Sequence, residues 1–370
     1  MSVFESFGLR KVINASGKMT ALGASAVSDE VAEALKQASQ DYVDIDEMME
    51  FAGKVIAEYT GSEDGCPTCG AAAGIAISVA SVITGKNLTL IERIPDSEGL
   101  RNEIIIQKGQ QIHFGASIGQ MIRIGGGSAV EVGSANKVEA DHIRQAITEK
   151  TAALLYVKSH HAVQKGMQPI ETMMEIAKAN NIPFIIDAAA EEDFKKYIKM
   201  GADIVIYSGG KALEGPTSGL ICGKKDLMEA CRMQYKGIGR PMKIGKEGVA
   251  GLIAALRQYP YKEDNPDDQI ARMTKLCESL KTVNGLTCSI KQDEAGRAIY
   301  RAQIEVDTDK AGLTAEQLLH RLEIGNPAIY LRHHYVNIGI LAVDPRPLLK
   351  GQEEVIANTI KSILNEEQPK

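Results

Sequence analysis

Ser208-Gly209-Gly210-Lys211 combines residue types suited to covalent chemistry on a carbonyl. Residues 203–207 (DIVIY) read as a buried strand, and a Gly- and Pro-containing loop leads to a second apolar strand at 219–223. Lys211 therefore leaves the end of a buried strand. A lysine that forms a Schiff base needs a neutral amine near neutral pH, and desolvation favours that form. Gly209 and Gly210 allow close backbone approach to a flat ring, and the Ser208 hydroxyl suits a phosphate oxygen. Taken alone, the segment reads as a surface lysine in a glycine-rich turn.

Upstream residues change that balance. Strand 183–187 delivers Asp187 at its carboxyl end, followed by three alanines, and open α/β sheets bind ligands at the carboxyl ends of their strands. An Asp there can pair with a protonated pyridine nitrogen and keep the ring an electron sink. By itself Asp187 reads as a helix N-cap or a metal-binding carboxylate. Residues 68–74 (TCGAAAG) open a small-residue helix over 71–83, and backbone N–H groups at a helix start bind phosphate. Cys69, Gly70, Ala71 and Ala72 are the residues expected around that phosphate. His113, beyond strand 103–107, is placed to cover a ring face, with an ordinary loop histidine as the equal alternative. Ser159, His160 and His161 follow strand 152–157 at the same sheet edge. One of them is a candidate for the ring oxygen or for the acid on a leaving hydroxyl, and loop packing is the alternative for each. Together these groups suit pyridoxal phosphate (PLP).

The elements that must position them read as an alternating series. Helices are expected over 29–39 (capped by Ser28), 46–59, 71–83, 139–149, 170–180, 191–200 and 245–258. Strands are expected at 103–107, 121–124, 129–132, 152–157, 183–187, 203–207 and 219–223. Short apolar strands between amphipathic helices indicate a mainly parallel α/β sheet covered on both faces. From residue 256 the texture becomes α+β: antiparallel partners at 286–291 and 298–306, a helix over 314–323, strands at 328–331 and 335–342, and a helix over 351–364. The expected division is an N-terminal arm and first helix (1–45), a large cofactor domain (46–255) and a small C-terminal domain (256–370).

Composition narrows the function classes. A chain of 370 residues suits a large and a small domain. The net charge of −6 lacks the basic surplus that nucleic acid or an anionic membrane requires, so the expected partner is a small anionic molecule that needs only a few local donors. No signal segment or membrane-length apolar run is read, and six scattered cysteines suit a cytoplasmic chain with reduced thiols. Cys66-Pro-Thr-Cys69 has no second CxxC to complete a zinc site, and His333-His334 would point to opposite faces of a strand, so no metal is expected. GxGxxG and GxxxxGK[ST] are missing from their required contexts, which disfavours a nucleotide-binding fold.

The stretches GLRKVINASG (8–17), CGAAAG (69–74), EVGSANK (131–137), IIDAAAEED (185–193), SGGKALEGPTSGLICGKKDLM (208–228) and VDPRPL (343–348) resemble fold-type I PLP enzymes. Within them they resemble the bacterial selenocysteine synthase (L-seryl-tRNA selenium transferase) group, the lysine segment being the specific match. The resemblance implies the fold-type I transferase architecture, PLP on Lys211, Asp187 on the ring nitrogen, Ser208 and 69–72 on the phosphate, and His113 stacked on the ring. It places a substrate-carboxylate ligand at Arg346, with Arg332 as competitor and a surface turn as the alternative for Arg346. The VINASG motif begins at residue 12, so the extra tRNA-binding region of that group has no expected counterpart. The chain is similar to the shorter D-glucosaminate-6-phosphate ammonia-lyase subgroup.

The resulting expectation is an α,β-elimination from a phosphorylated 2-amino sugar acid, giving a 2-keto-3-deoxy acid and ammonia. Lys236, Arg240, Lys243 and Lys246 form a basic run for a substrate phosphate, or an ordinary solvated loop. Alternatives that keep PLP are a β-lyase or aminotransferase on another small amino acid, and a non-catalytic PLP-binding protein. At least a homodimer is expected, because related enzymes complete each site across an interface.

Overall fold

A computed structural model describes residues 2–159, 161–261, 265–293 and 297–367. The chain divides into two compact units, Ser25–Lys262 and a smaller one made of Met1–Ala24 with Glu263–Lys370. Among the described residues, strands are numbered in chain order. The smaller unit holds β1 (Val12–Ala15). The larger holds β2 (Asp64–Thr68), β3 (Glu103–Gln107), β4 (Ser128–Val132), β5 (Thr151–Val157), β6 (Phe184–Asp187), β7 (Ile204–Ser208) and β8 (Gly219–Gly223). The smaller unit resumes with β9 (Leu286–Gln292), β10 (Tyr300–Val306), β11 (Ala328–Leu331) and β12 (Ile340–Val343).

The larger unit is built on one seven-stranded sheet of order β2-β8-β7-β6-β5-β3-β4. Its neighbours are parallel except around β8, which runs antiparallel to both β2 and β7. Both faces are buried. Ile105, Leu154, Ile186, Val205 and Leu220 face one core, and Ile104, Ile106, Leu155, Ile185 and Ile206 face the other. Successive strand residues point to opposite faces, so these strands read as continuous apolar runs.

Helix Ala71–Thr84 packs on the second of these faces through Ile75, Ile77 and Val79. A Cβ at Gly74 would lie 2.8 Å from Ile206 Cγ2. Gly74→Val is therefore expected to cost about 1–3 kcal/mol by overpacking, read as a lower thermal unfolding midpoint. An unchanged midpoint would mean that Ile206 moves aside freely.

Several expectations are corrected. Residues 121–124 are the second half of helix Ile118–Ile124, not a strand, because Ile118 and Ile122 bury one helical face. Strand β2 was not anticipated from DGCPT. Pro67 is tolerated there because β2 is an edge strand. The helix expected over 191–200 begins only at Lys196. Of 335–342, only Ile340 onward is strand, after a 3-10 turn at Val336–Ile338.

In the smaller unit, β12-β10-β9 form an antiparallel sheet. Helices Pro266–Leu280, Ala315–Ile324 and Gln352–Glu367 contribute to its core. Ile356, Ile360, Ile363 and Leu364 supply one apolar face of the last helix. Strand β1 pairs in parallel with β11, Val12 to Ala328 through Ala15 to Leu331. The first residues thus belong with the C-terminal unit, whereas helices Asp29–Ser39 and Lys246–Gln258 belong to the larger one. Among the described residues no helix is long and apolar enough to cross a membrane.

Candidate active site

Because β8 alone is reversed, the carboxyl ends of β2, β5, β6 and β7 meet at one edge. Thr68 and Ser208 both register with Gly219, the first residue of β8. Asp187 registers with Ile206 on one side and Val157 on the other. The edge therefore collects the ends of β7, β6 and β2, which lead into the Lys211, Asp187 and TCGAAAG segments, together with the end of β5.

Lys211 is half-buried in the loop between β7 and β8. The loop is closed by its own backbone: Gly209 N–H donates to Ser218 O (2.8 Å), Gly215 N–H to Gly209 O (2.8 Å) and Glu214 N–H to Lys211 O (3.1 Å). Ser25 Oγ donates to Gly210 O at 2.9 Å. A Cβ at Gly209 would lie 2.0 Å from Ser218 Oγ. Gly209, expected to admit a ring, is required first by this turn.

Asp187 is 7% exposed. Ala189 N–H donates to its Oδ1 at 3.2 Å. Burial pushes the carboxyl up to about 6, while the Lys211 charge and the Ala189 N–H pull it back down. The lysine amine is thus within electrostatic reach of this carboxylate. Ser208 N–H donates to Ala189 O (3.2 Å), which ties the exits of β6 and β7 together.

The segment after Asp187 is pinned by three tyrosines that the sequence reading did not single out. Tyr197 Oη donates to Glu191 Oε2 (2.7 Å), Tyr259 Oη to Glu192 O (2.7 Å) and Tyr207 Oη to Asp193 O (3.3 Å). Phe194 packs against Tyr207 and Tyr259, with ring centroids 4.6 and 4.8 Å apart. This clamp explains why the helix starts late. The available signal was the concentration of aromatic residues here in a chain with only 5% aromatics.

Helix Ala71–Thr84 opens at Gly70 with extended backbone and no side-chain cap. Its first N–H groups therefore lack a capping side chain, the arrangement that receives an anion. Thr68 Oγ1 donates to Gly70 O at 2.9 Å. A Cβ at Gly219 would lie 2.6 Å from Gly70 C and 2.8 Å from Ala71 N, so the start of β8 presses against the helix opening. Burial pushes the half-buried Cys69 thiol up, which keeps it protonated and disfavours a reactive thiolate. The fully buried Cys66 thiol is pushed up further.

The other expected residues are more dispersed. His113 is exposed in the loop before helix Ile118–Ile124, where its Nδ1 accepts from Gly115 N–H at 3.4 Å. Ser159 is half-buried and its Oγ accepts from His161 N–H at 3.2 Å, while His161 is exposed. His160 lies outside the described residues. Lys236, Arg240 and Lys243 are exposed, whereas the Lys246 amine donates to Ala38 O.

In the smaller unit, Arg332 and Arg346 come together around Asp344. Arg346 is engaged by both Asp344 oxygens (Nε to Oδ1 3.0 Å, Nη2 to Oδ2 2.9 Å). Arg332 follows β11 and exchanges backbone hydrogen bonds with Ala342. Burial first, then the nearby Arg301 and Arg346 charges, shift its guanidinium below the usual arginine range. The sequence reading missed Arg301, Asp293 and Asp344, which complete this group. Among the described residues no cluster of three or more His, Cys, Asp or Glu could hold a metal.

The residues at the sheet edge fit PLP: an amine for its carbonyl, a buried carboxylate for its ring nitrogen, and an uncapped helix start for its phosphate. The family described as SelA, L-seryl-tRNA selenium transferase, matches residues 12–342. A D-glucosaminate-6-phosphate ammonia lyase of Salmonella typhimurium (strain 14028s / SGSC 2262) is 44% identical over 362 residues, covering 98% of each chain. A 5'-C-glycyluridine monooxygenase-decarboxylase of a Streptomyces species is 43% identical, covering 98% of this chain and 92% of the relative. The solved structure of a D-glucosaminate-6-phosphate ammonia-lyase has a TM-score of 0.95 at 43% identity and covers 99% of each chain.

Proposed function

The chain belongs to the L-seryl-tRNA selenium transferase family, and from that premise we propose that it is an ammonia-lyase acting on a phosphorylated 2-amino sugar acid, D-glucosaminate 6-phosphate or a close analogue. The fold is fold-type I and the cofactor is PLP. The observation that carries the reading is the placement of Lys211, on the loop after β7, within electrostatic reach of the buried Asp187 carboxylate that ends β6 at the carboxyl edge of the sheet. The name of the 44%-identical relative, a D-glucosaminate-6-phosphate ammonia lyase, supports the substrate class.

When bound, PLP supplies an electron sink for charge that develops at the substrate α-carbon. Asp187 holds the proton on the ring nitrogen. Ser208 and the N–H groups of Ala71 and Ala72 hold the phosphate. Lys211 would hold the cofactor through its carbonyl group and, with its amine freed when substrate binds, would take the proton from the substrate α-carbon. The ammonium formed on Lys211 gives its proton to the β-hydroxyl, which leaves as water. As Lys211 resumes its hold on the cofactor, the 2-enamine would be freed; it gains a proton at C3 to become the 2-imine, and water adds at C2 with loss of ammonia, leaving a 2-keto-3-deoxy acid. Beyond β5, Ser159 would contact the ring oxygen and His161 the substrate. Arg332 is assigned to the substrate carboxylate in preference to Arg346, because Asp344 already engages Arg346 through two hydrogen bonds. The enzyme would act in the cytoplasm as a homo-oligomer, at least a dimer. Exposed Val3, Phe4, Phe7 and Leu9 supply apolar surface that a second copy would cover.

The test is incubation of the holoenzyme with D-glucosaminate 6-phosphate. Equal amounts of ammonia and 2-keto acid, with no oxygen consumed and no added keto acid, are expected. Oxygen uptake with carbon dioxide release would favour the chemistry named for the 43%-identical relative. Dependence on a keto-acid acceptor would make the enzyme an aminotransferase, and cofactor binding without turnover on any amino acid would make it a binding protein.

A further inference from the structure

We infer that Arg301 is a second anion-binding residue and that its Nη2, with the Arg332 guanidinium, forms a two-arginine oxyanion site in the smaller unit. Arg301 stands on β10 and is 7% exposed. Its Nε donates to Asp344 Oδ2 (2.9 Å) and its Nη1 to Asp293 Oδ1 (2.7 Å). Its Nη2 is buried and makes no hydrogen bond among the described residues. A buried guanidinium N–H without an acceptor is costly unless something else receives it.

The surroundings supply a site rather than an isolated defect. Arg297 donates to both oxygens of Asp293 (2.9 and 3.2 Å), and Arg346 donates to both oxygens of Asp344. Both aspartates are therefore engaged by two arginines each, and among the described residues neither forms an ion pair with Arg332. Among the described residues, four arginines and two aspartates leave an excess of positive charge in a largely buried cluster. The downward shift at Arg332, caused by burial and by Arg301 and Arg346, expresses that excess. An incoming anion would relieve it.

Gly17 bounds the cluster. Its φ is +111°, and a Cβ there would lie 3.5 Å from Asp344 Oδ2 and 3.9 Å from both Arg332 Nη1 and Arg346 Nη2. Asn14 holds this turn, its Nδ2 donating to Gly17 O (2.8 Å) and its Oδ1 accepting from Ser16 N–H (3.0 Å). The Asn-Ala-Ser-Gly stretch thus leaves space beside the arginines where a side chain would otherwise stand. The ligand chemistry is an oxyanion, carboxylate or phosphate, held by charge-assisted hydrogen bonds. Arg301 and Arg332 are the donors. Asp293 and Asp344 are positioning residues that fix Arg301.

The identity of the natural ligand rests on the lyase reading, but the site does not, and binding can be measured without turnover. Inorganic phosphate and acetate would be titrated calorimetrically into the holoenzyme, whose cofactor fills its own phosphate site. At least one anion is expected to bind saturably to wild type, the stronger one identifying the class of substrate group received. Arg301→Lys and Arg332→Gln should each weaken it by about tenfold or more, whereas Arg144→Gln, on the exposed Arg144–Asp141 pair, should not. Arg332→Gln keeps the test valid if Arg301→Lys misfolds, because among the described residues Arg332 forms no ion pair that the substitution would break. Absence of saturable binding of both anions to wild type, or unchanged affinity in a folded Arg332→Gln protein, would overturn the inference. Loss of lyase turnover on every amino sugar acid, with anion binding intact, would defeat only the proposed reaction.

Discussion

Lys211→Ala is expected to lower kcat by about ten-thousandfold, because it removes both the covalent anchor and the base that takes the α-proton. The visible absorbance of the bound cofactor should be lost or displaced. Borohydride should fix the cofactor to the peptide carrying Lys211 in wild type and not in the variant. Lys211→Arg, which keeps the charge but cannot supply a neutral amine near pH 7, should be nearly as inactive. Unaltered turnover or an unchanged spectrum in Lys211→Ala would refute the assignment. The substitution also reaches Asp187. Lys211 pulls that carboxyl down against burial, so its removal should raise the pH at which Asp187 ionises in the cofactor-free protein.

Asp187→Asn is expected to separate activity from stability. Activity of the holoprotein should fall by about 100-fold or more, because a neutral amide cannot hold the ring nitrogen's proton as a carboxylate does. The cofactor-free protein should instead gain stability, in a pH-dependent way. The folded-state value of about 6 lies above the ordinary 3.8. Below pH 4 both folded and unfolded chains are protonated at Asp187, and the two proteins should be alike. Between about pH 4 and 6 the folded chain binds the proton more tightly, so wild-type stability falls as pH rises. Above about pH 6 the full penalty applies, roughly 3 kcal/mol for a shift of about two units. Thermal unfolding of both cofactor-free proteins at pH 4 and pH 8 would test this. A stability gap that does not grow between those two values would refute it.

Much of the site was legible because its chemistry lies in contiguous stretches. A buried strand that ends in SGGK, and another that ends in Asp, place their residues at a sheet edge whatever the rest of the chain does. Other features depend on tertiary context. MIRI at 121–124 suits strand or helix by period alone, and only the burial of Ile118 with Ile122 decides it. The late start of the helix after Asp187 depends on Tyr207 and Tyr259, which come from other elements. Arg301 was invisible because it reads as one polar residue on a β-strand. Its role depends on Asp344 and Asp293, which the fold brings to it.

The pairing of β1 with β11 also governs the order in which the chain can be completed during synthesis. Residues 12–15 emerge from a ribosome early, but their partners at 328–331 are made near the end. The unit Ser25–Lys262 is continuous and can fold while the rest is still being translated. The other unit must wait, with Val12 and Ile13 held without their sheet partner throughout that interval. A nascent chain arrested before residue 328 therefore contains the whole lysine and aspartate edge but an unfinished arginine cluster.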